Sequence, residues 1–146
     1  MKDGTDRLIL FFLQGDGYAL RIEDVVEVME PPPLYPIPRA PCYFPGIMNF
    51  HGSLVPVIDL AAFLVGTSFY PQGQLLALDS RIANIALWVD SVESVRPAEV
   101  VMDERESDED FVEKMLIISE QEVKLLSVGK LVDRIEEILM GIGSFT

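Results

Sequence analysis

A proline-dense connector leading into two apolar strands, within Tyr35–Leu60, is the feature that most constrains the fold of this chain. Because proline lacks a backbone donor, these prolines cannot lie in the middle of a hydrogen-bonded sheet. Gly46–Phe50 and Leu54–Ile58 are separated only by the bend His51–Ser53, which is typical of a β-hairpin. The segment therefore predicts a hairpin entered through an extended connector, and it contains no catalytic constellation.

The connector itself admits two interpretations. Seven prolines fall between Pro31 and Pro45. A run of this kind can serve as a polyproline ligand for an aromatic groove on another protein. It can also act as a rigid spacer between two strands, and its position inside the apolar pattern favours the spacer.

Composition and charge exclude several classes of partner. The chain has 146 residues, 49% of them hydrophobic, which is enough for a packed core. Its formal net charge is -13, so we expect neither nucleic acid nor an anionic membrane surface as a partner. Cys42 is the only cysteine, which excludes an internal disulfide and favours a reducing compartment. Since no run is long enough for a signal peptide or a membrane span, we expect a cytoplasmic protein without direct membrane insertion.

Short apolar runs and turn signals continue on both sides of the central hairpin. Three further hairpins are predicted, over residues 8–22, 74–89 and 115–128. Single strands are predicted over residues 23–30 and 90–95, and one helical turn is predicted over residues 61–64. About ten short strands with frequent turns predict a β-sandwich or β-barrels.

The remaining segments are an acidic stretch and a C-terminal helix. Asp103–Glu113 carries seven acids and no glycine, so we reject a calcium loop and predict a solvated loop. Leu131–Met140 has apolar residues at i, i+4, i+7 and i+8, which predicts an amphipathic helix ended by Gly141 and Gly143.

The order hairpin, strand, connector, hairpin occurs in residues 8–58 and weakly again in residues 74–128. Two small β-lobes would produce this repeat.

Residues that carry catalysis or bind metals are scarce. His51 is the sole histidine, so a Ser-His-Asp triad would have to use it, and no G-x-S-x-G elbow accompanies it. One histidine and one cysteine do not make a zinc site. There is no dinucleotide fingerprint and no phosphate-binding loop. The sequence therefore predicts no enzyme, no metal and no cofactor, and it indicates a binding or scaffolding module.

The block Gly46–Leu60, read together with the rest of the chain, closely resembles the CheW family of chemotaxis coupling proteins. Supporting matches occur in order along the chain, at Tyr18–Val28, Ile37–Pro41, Ile85–Val92 and Leu125–Val132. The resemblance covers about residues 8–140, which is nearly the whole chain.

The resemblance implies an all-β fold of two Src-homology-3-like five-stranded β-barrel lobes that share a core, with a C-terminal amphipathic helix. It implies a single domain over residues 1–146. Lobe one would cover about residues 15–65 and lobe two about residues 74–128, with the N-terminal strand and the C-terminal helix packed across them.

The resemblance also implies a non-enzymatic adaptor. Such an adaptor would couple the regulatory domain of a CheA-type histidine kinase to the tip of a methyl-accepting chemoreceptor, which would lie in the groove between the lobes. The positions that match the family's receptor-side residues are Val25, Glu27, Gly46, Asn49, His51, Gly52 and Leu75. Each of them also admits a purely structural role, such as turn geometry for the two glycines.

One departure from the family pattern leaves other functions open. The family usually has arginine where this chain has His51. Arginine brings a permanent charge and five donors, whereas neutral histidine brings one donor and one acceptor. The chain could instead be a divergent scaffold for another signalling system, such as pilus-type motility, or a self-associating module. A small hydrolase that uses His51 is a hypothesis of a different class.

Overall fold

The computed structural model describes residues 6–66 and 73–143, with side chains described as far as Gly141. Eleven strands and two α-helices lie in these ranges. The strands are β1 (Arg7–Leu13), β2 (Asp16–Arg21), β3 (Val25–Met29), β4 (Gly46–Phe50), β5 (Ser53–Asp59), β6 (Gln74–Leu78), β7 (Ala86–Val89), β8 (Ser91–Pro97), β9 (Val101–Arg105), β10 (Val112–Ile118) and β11 (Gln121–Leu126). The helices are α1 (Leu60–Leu64) and α2 (Val128–Gly143), and 3₁₀ turns cover Ile22–Asp24 and Ala98–Val100.

The strands form two sheets. One sheet has six strands in the order β8-β1-β2-β11-β10-β9, and the other has five in the order β3-β6-β7-β5-β4. The pairs β1–β2, β4–β5, β6–β7 and β10–β11 are antiparallel, whereas β2 with β11 and β5 with β7 pair parallel. A parallel pair needs a long crossover between its strands, so these two pairs bring together distant parts of the chain.

The two sheets share a core, as predicted. The principal cluster takes buried side chains from the six-stranded sheet, such as Phe11, from the five-stranded sheet, such as Leu76 and Leu87, and from α2, such as Leu131. Complete burial of a side chain of this size stabilises the fold by about 1.5–3 kcal/mol. Two smaller clusters lie within the separate sheets. The principal cluster therefore joins the two lobes into one packed body.

The locally encoded elements lie where the sequence predicts them. All four hairpins are present, as β1–β2, β4–β5, β6–β7 and β10–β11. The third is shorter than predicted, because β7 begins only at Ala86. The preceding turn is held by the N–H of Ile82, which donates to the carbonyl of Asp79 at 2.8 Å.

The membership of the sheets differs from the predicted division at residues 15–65 and 74–128. The hairpin β6–β7 joins β3, β4 and β5 in the five-stranded sheet, while β1 and β2 join the strands of the C-terminal half. The six-stranded sheet also exceeds the five strands expected of each lobe. The physical reason is long-range strand pairing, parallel in β2–β11 and β5–β7 and antiparallel in β1–β8 and β3–β6. These pairings depend on side-chain packing between distant segments and leave no local sequence signal.

The acidic stretch is only partly a loop. Val101–Arg105 is an edge strand that pairs with β10, so the prediction of a loop over the whole of residues 103–113 is wrong. An edge strand needs only its backbone to pair on one side, and charged side chains on it remain solvated. The residues that lie between strands are 106–111, and Glu113 belongs to β10.

The predicted amphipathic helix is confirmed and is longer than its apolar pattern. Val128, Leu131, Val132 and Ile135 are buried, and Leu139 packs partly against the same cluster. The helix continues through Gly141 to Gly143, so the first of the two predicted terminators does not end it. Within residues 6–66 and 73–143, no helix is both long and apolar enough to cross a bilayer.

Candidate protein-interaction surface

The bend between β4 and β5 is a two-residue turn that contains two of the predicted site residues and is capped by a third. Phe50 pairs with Ser53, so His51 and Gly52 form the turn, and both have positive φ, 52° and 88°. Positive φ at both positions is the signature of the type I′ hairpin turn. The Asn49 side chain caps this turn, since its Oδ1 accepts from the N–H of Gly52 at 3.0 Å. Histidine tolerates this conformation better than bulky residues do, and Gly52 adopts it freely.

The turn lies beside Glu27 on the opposite edge strand of the same sheet. The His51 Nε2 atom is 3.4 Å from Glu27 Oε1, and the side chains are 75% and 43% exposed. Because β3 and β4 are the outermost strands of the five-stranded sheet, this contact shows that the sheet curls enough to bring the turn at the end of β4 within reach of a β3 side chain. The His51 ring also packs against Phe50, with ring centroids 4.3 Å apart. Such an exposed pair contributes little to stability, so its position on the surface is the more informative property.

Three other predicted residues lie partly or wholly beneath the surface. Val25 is half-buried against the principal core. Leu75 is 0% exposed and packs with Met48 and Ala86. Gly46 is also buried, at the start of β4. Neither Leu75 nor Gly46 has exposed surface that a partner could contact, so their contribution in this structure is to packing.

Four exposed apolar residues on the same sheet were missed by the sequence analysis. They are Val26 and Val28 on β3, Tyr35 in the connector and Leu54 on β5. Leu54 precedes the buried Val55, so the alternation over residues 54–57 is the signal that could have found it. Val26 and Val28 gave no such signal, because the sequence does not show that β3 lies at an edge.

A shallow cavity of about 190 Å³ opens beside the turn. Its lining includes Val26 of β3, Phe50 at the end of β4, His51 of the turn, and Ala77 and Asn84 of the β6–β7 hairpin. Its mixture of apolar side chains with a few polar groups suits a protein contact.

The residue before β3, Asp24, is hydrogen-bonded to the turn between β6 and β7, and this turn contains an ion pair. Arg81 donates to both carboxylate oxygens of Asp79, at 3.0 Å from Nε and 2.7 Å from Nη2. These hydrogen bonds lower the pKa of Asp79 from 3.8 to about 2. Burial raises the pKa of the neighbouring Asp24, whose carbonyl accepts from the N–H of Asp79 at 2.9 Å. The Asp79 carboxylate therefore remains ionised over the ordinary pH range.

The contacts of His51 are not those of a Ser-His-Asp triad within the described residues. In the described part of the chain its hydrogen-bonding partner is Glu27, and no serine hydroxyl is bonded to the ring. A nucleophile and its base need that direct hydrogen bond. Over the same residues, no group of three or more His, Cys, Asp or Glu side chains is placed to hold a metal ion.

Fold and surface together define a two-lobed β domain whose distinctive exposed feature is the β4–β5 turn packed beside the opposite edge strand. The chain belongs to the CheW-like domain family, whose family model matches residues 7–136.

Comparison with individual proteins supports this assignment. The chain is 27% identical over 97 residues to the probable chemotaxis protein CheW of Rhizobium etli (strain ATCC 51251 / DSM 11541 / JCM 21823 / NBRC 15573 / CFN 42), and 26% identical over 97 residues to the chemotaxis protein CheW of Rhizobium meliloti (strain 1021). Each match covers 65% of this chain but only 63% of the relative.

A solved structure shows the same fold. The scaffolding protein TtCheW from Thermoanaerobacter tengcongensis superposes with a TM-score of 0.72 at 24% identity, covering 87% of this chain and 86% of that one. The prediction of two Src-homology-3-like lobes with a C-terminal helix is thereby confirmed.

Proposed function

We propose that this chain is a non-enzymatic adaptor of chemotaxis signalling that acts in the cytoplasm. It would couple the regulatory domain of a CheA-type histidine kinase to the tip of a methyl-accepting chemoreceptor. Membership of the CheW-like domain family supports this proposal, as do the two relatives that are named chemotaxis proteins. Because the lobes share one core, we further propose that they work as a single domain.

The observation that carries the proposal is the meeting of Glu27 and His51 across the two edges of the curled sheet. This contact brings Glu27 beside the turn that contains His51 and Gly52 and is capped by Asn49. We propose that these four residues, with the half-buried Val25, form the receptor-side surface. Charges at such a surface set the choice of partner and the rate of encounter more than the affinity. Leu75 and Gly46 would support the surface from beneath.

Two binding titrations test the proposal. The whole chain is titrated calorimetrically with the kinase regulatory domain and, separately, with a receptor cytoplasmic fragment from the same genome. We expect His51→Ala and Asn49→Ala to weaken receptor binding by a few-fold and to leave kinase binding unchanged. Arg134→Ala, at an exposed site on α2, is the matched control. Absence of binding to either protein at roughly 50 μM would remove the coupling role.

The histidine at position 51 favours one second candidate, a divergent scaffold for another signalling system or a self-associating module. Such a scaffold would be adapted to a partner that does not use the usual arginine. His51→Arg should then leave binding to its native partner unimproved or weaker. A clear gain in receptor binding by His51→Arg would count against this candidate and favour the conventional coupling role.

A further inference from the structure

His51 is the one side chain of this protein whose charge ordinarily changes near neutral pH. The sequence has a single histidine, and imidazole is the side-chain group that ordinarily gains or loses its charge between pH 5 and pH 8. The residue lies in the two-residue turn between β4 and β5, where 75% of its side chain is exposed. Protons therefore exchange freely between the ring and solvent in the folded chain.

The carboxylate of Glu27 is placed to pair with a protonated His51. The ring Nε2 lies 3.4 Å from Oε1 of Glu27. With a neutral ring this contact is at most one hydrogen bond, and only in the tautomer that carries its proton on Nε2. In the protonated ring both nitrogens are donors, so the same contact becomes a charge-assisted hydrogen bond and an ion pair.

The other elements around His51 bring no competing charge to the ring. Over the described residues, Glu27 is the only carboxylate in ion-pair contact with it. In the turn between β6 and β7, Asp79 and Arg81 are paired with each other. The polar side chains that line the cavity beside the ring are all uncharged, namely Ser53, Ser80 and Asn84. The charge of His51 therefore acts chiefly on Glu27.

Protonation joins two parts of the receptor-side surface that are 24 residues apart in the sequence. Glu27 belongs to the edge strand β3, and His51 follows the end of β4. An ion pair between them holds the turn against β3, so less conformational freedom is lost when a partner binds. The pair also gives the Glu27 carboxylate a partner, which lowers the cost of removing its charge from water at an interface. Both effects favour binding by the protonated form.

We propose that the receptor-side surface is proton-sensitive, and that protonation of His51 strengthens receptor binding by closing the ion pair with Glu27. This inference rests on the function proposed above and concerns the regulation of that same surface. Because exposed ion pairs have modest energies, we expect receptor affinity to rise about two- to fourfold from pH 8 to pH 6.

The test is a calorimetric titration of the whole chain with the receptor cytoplasmic fragment at pH 6 and at pH 8. His51→Arg is charged at both pH values and His51→Gln at neither. Any pH dependence that remains in these variants belongs to the receptor fragment or to other groups of the chain. The ratio of wild-type affinity to that of either variant isolates His51, and it should rise about two- to fourfold from pH 8 to pH 6.

Two further variants identify the partner of the proton. In a Glu27→Gln background, the ratio between His51 and His51→Arg should be the same at both pH values, because the carboxylate is gone. Lys114→Gln is the matched control, since it breaks an exposed 3.1 Å ion pair with Glu104 on the other sheet. It should leave the pH dependence of receptor binding unchanged. Urea midpoints at both pH values establish that each variant is folded.

A ratio that rises toward pH 6, and that becomes flat without Glu27, supports the inference. A ratio that is equal at the two pH values overturns it and leaves the adaptor function intact. A rise that persists in the Glu27→Gln background overturns the ion pair as the cause. An equal rise in binding to the kinase regulatory domain overturns the assignment to the receptor-side surface. Absence of receptor binding at both pH values overturns the proposed function, and this inference with it.

Discussion

Removal of the ion pair between Arg21 and Glu113 should destabilise the six-stranded sheet by a small, pH-dependent amount. Arg21 ends β2 and Glu113 lies near the start of β10, 92 residues further along the chain. The guanidinium donates to both carboxylate oxygens, at 2.8 Å and 2.5 Å. The pair thus links strands that are not neighbours in the sheet.

The magnitude follows from the partial exposure of both groups. Unit charges about 4 Å apart attract by roughly 1 kcal/mol in water and 4 kcal/mol at an effective dielectric constant of about 20. The Arg21 and Glu113 side chains are 39% and 35% exposed, so water and salt screen much of this attraction. Exposed pairs contribute about 0.2–1 kcal/mol, and the bidentate geometry places this pair near the upper end. We therefore expect a coupling energy of about 1 kcal/mol.

The pH dependence has a definite sign. The hydrogen bond from Arg21 lowers the pKa of Glu113 below its ordinary value of 4.5. A carboxyl group whose pKa is lowered by folding adds stability above its unfolded pKa and loses it as the pH falls through the folded pKa. The coupling should therefore be complete at pH 7, begin to decline below about pH 4.5, and shrink in 1 M salt at either pH.

A double-mutant cycle with Arg21→Met, Glu113→Gln and the double variant measures this coupling by urea unfolding at pH 7 and at pH 3. The Lys114–Glu104 pair, at 3.1 Å with a single contact, is the matched control and should show weaker coupling. The same coupling energy at pH 3 as at pH 7 would refute the electrostatic argument, because the Glu113 carboxylate would then not be its source.

Three further stability predictions and one binding prediction follow from single residues. Val89 is 1% exposed in the principal core, so Val89→Asp would bury an unpaired carboxylate. This variant should lower the free energy of unfolding by about 3 kcal/mol or more. An unchanged urea midpoint would contradict this prediction. Asp59→Ala removes the acceptor for the N–H of Ala62 at the start of α1 and should lower the free energy of unfolding by about 1 kcal/mol. Asp59→Asn keeps an acceptor and should retain most of the stability. If the alanine and asparagine variants lose the same stability, the capping hydrogen bond is not responsible. Gly52→Ala should cost about 1 kcal/mol, because alanine is disfavoured at φ 88°, and thermal unfolding of the two proteins measures the difference. If the turn shapes the receptor contact, the same variant should also weaken receptor binding in the titrations proposed above.

Local elements were predictable because their signals are local. The β4–β5 hairpin was predicted from two apolar runs separated by the bend His51–Ser53. The structure narrows this bend to His51 and Gly52, both of which have positive φ. The amphipathic period of α2 likewise depends only on residues within a few turns. The acidic strand β9 escaped prediction, because charged residues at a solvated edge look like a loop in the sequence.

Part of the candidate surface was predictable, and part was not. Glu27, Asn49, His51 and Gly52 were identified through the family resemblance, and the structure places all four at one end of the curled sheet. Leu75 and Gly46 were identified in the same way but are buried. The exposure of Tyr35 was not predicted, because it depends on which strand the proline connector pairs with in the folded chain.

The sequence by itself determined the positions of the hairpins, the turn at His51, and each end of the C-terminal helix to within about three residues. Only the tertiary structure decided that β6 and β7 pair within the five-stranded sheet, that β2 and β11 meet in parallel, and that Glu27 lies beside His51. Hairpins and helices are encoded by neighbours in sequence, whereas these pairings depend on which distant apolar faces pack together. These pairings are determined by packing throughout the core, so no short stretch of sequence is sufficient to predict them.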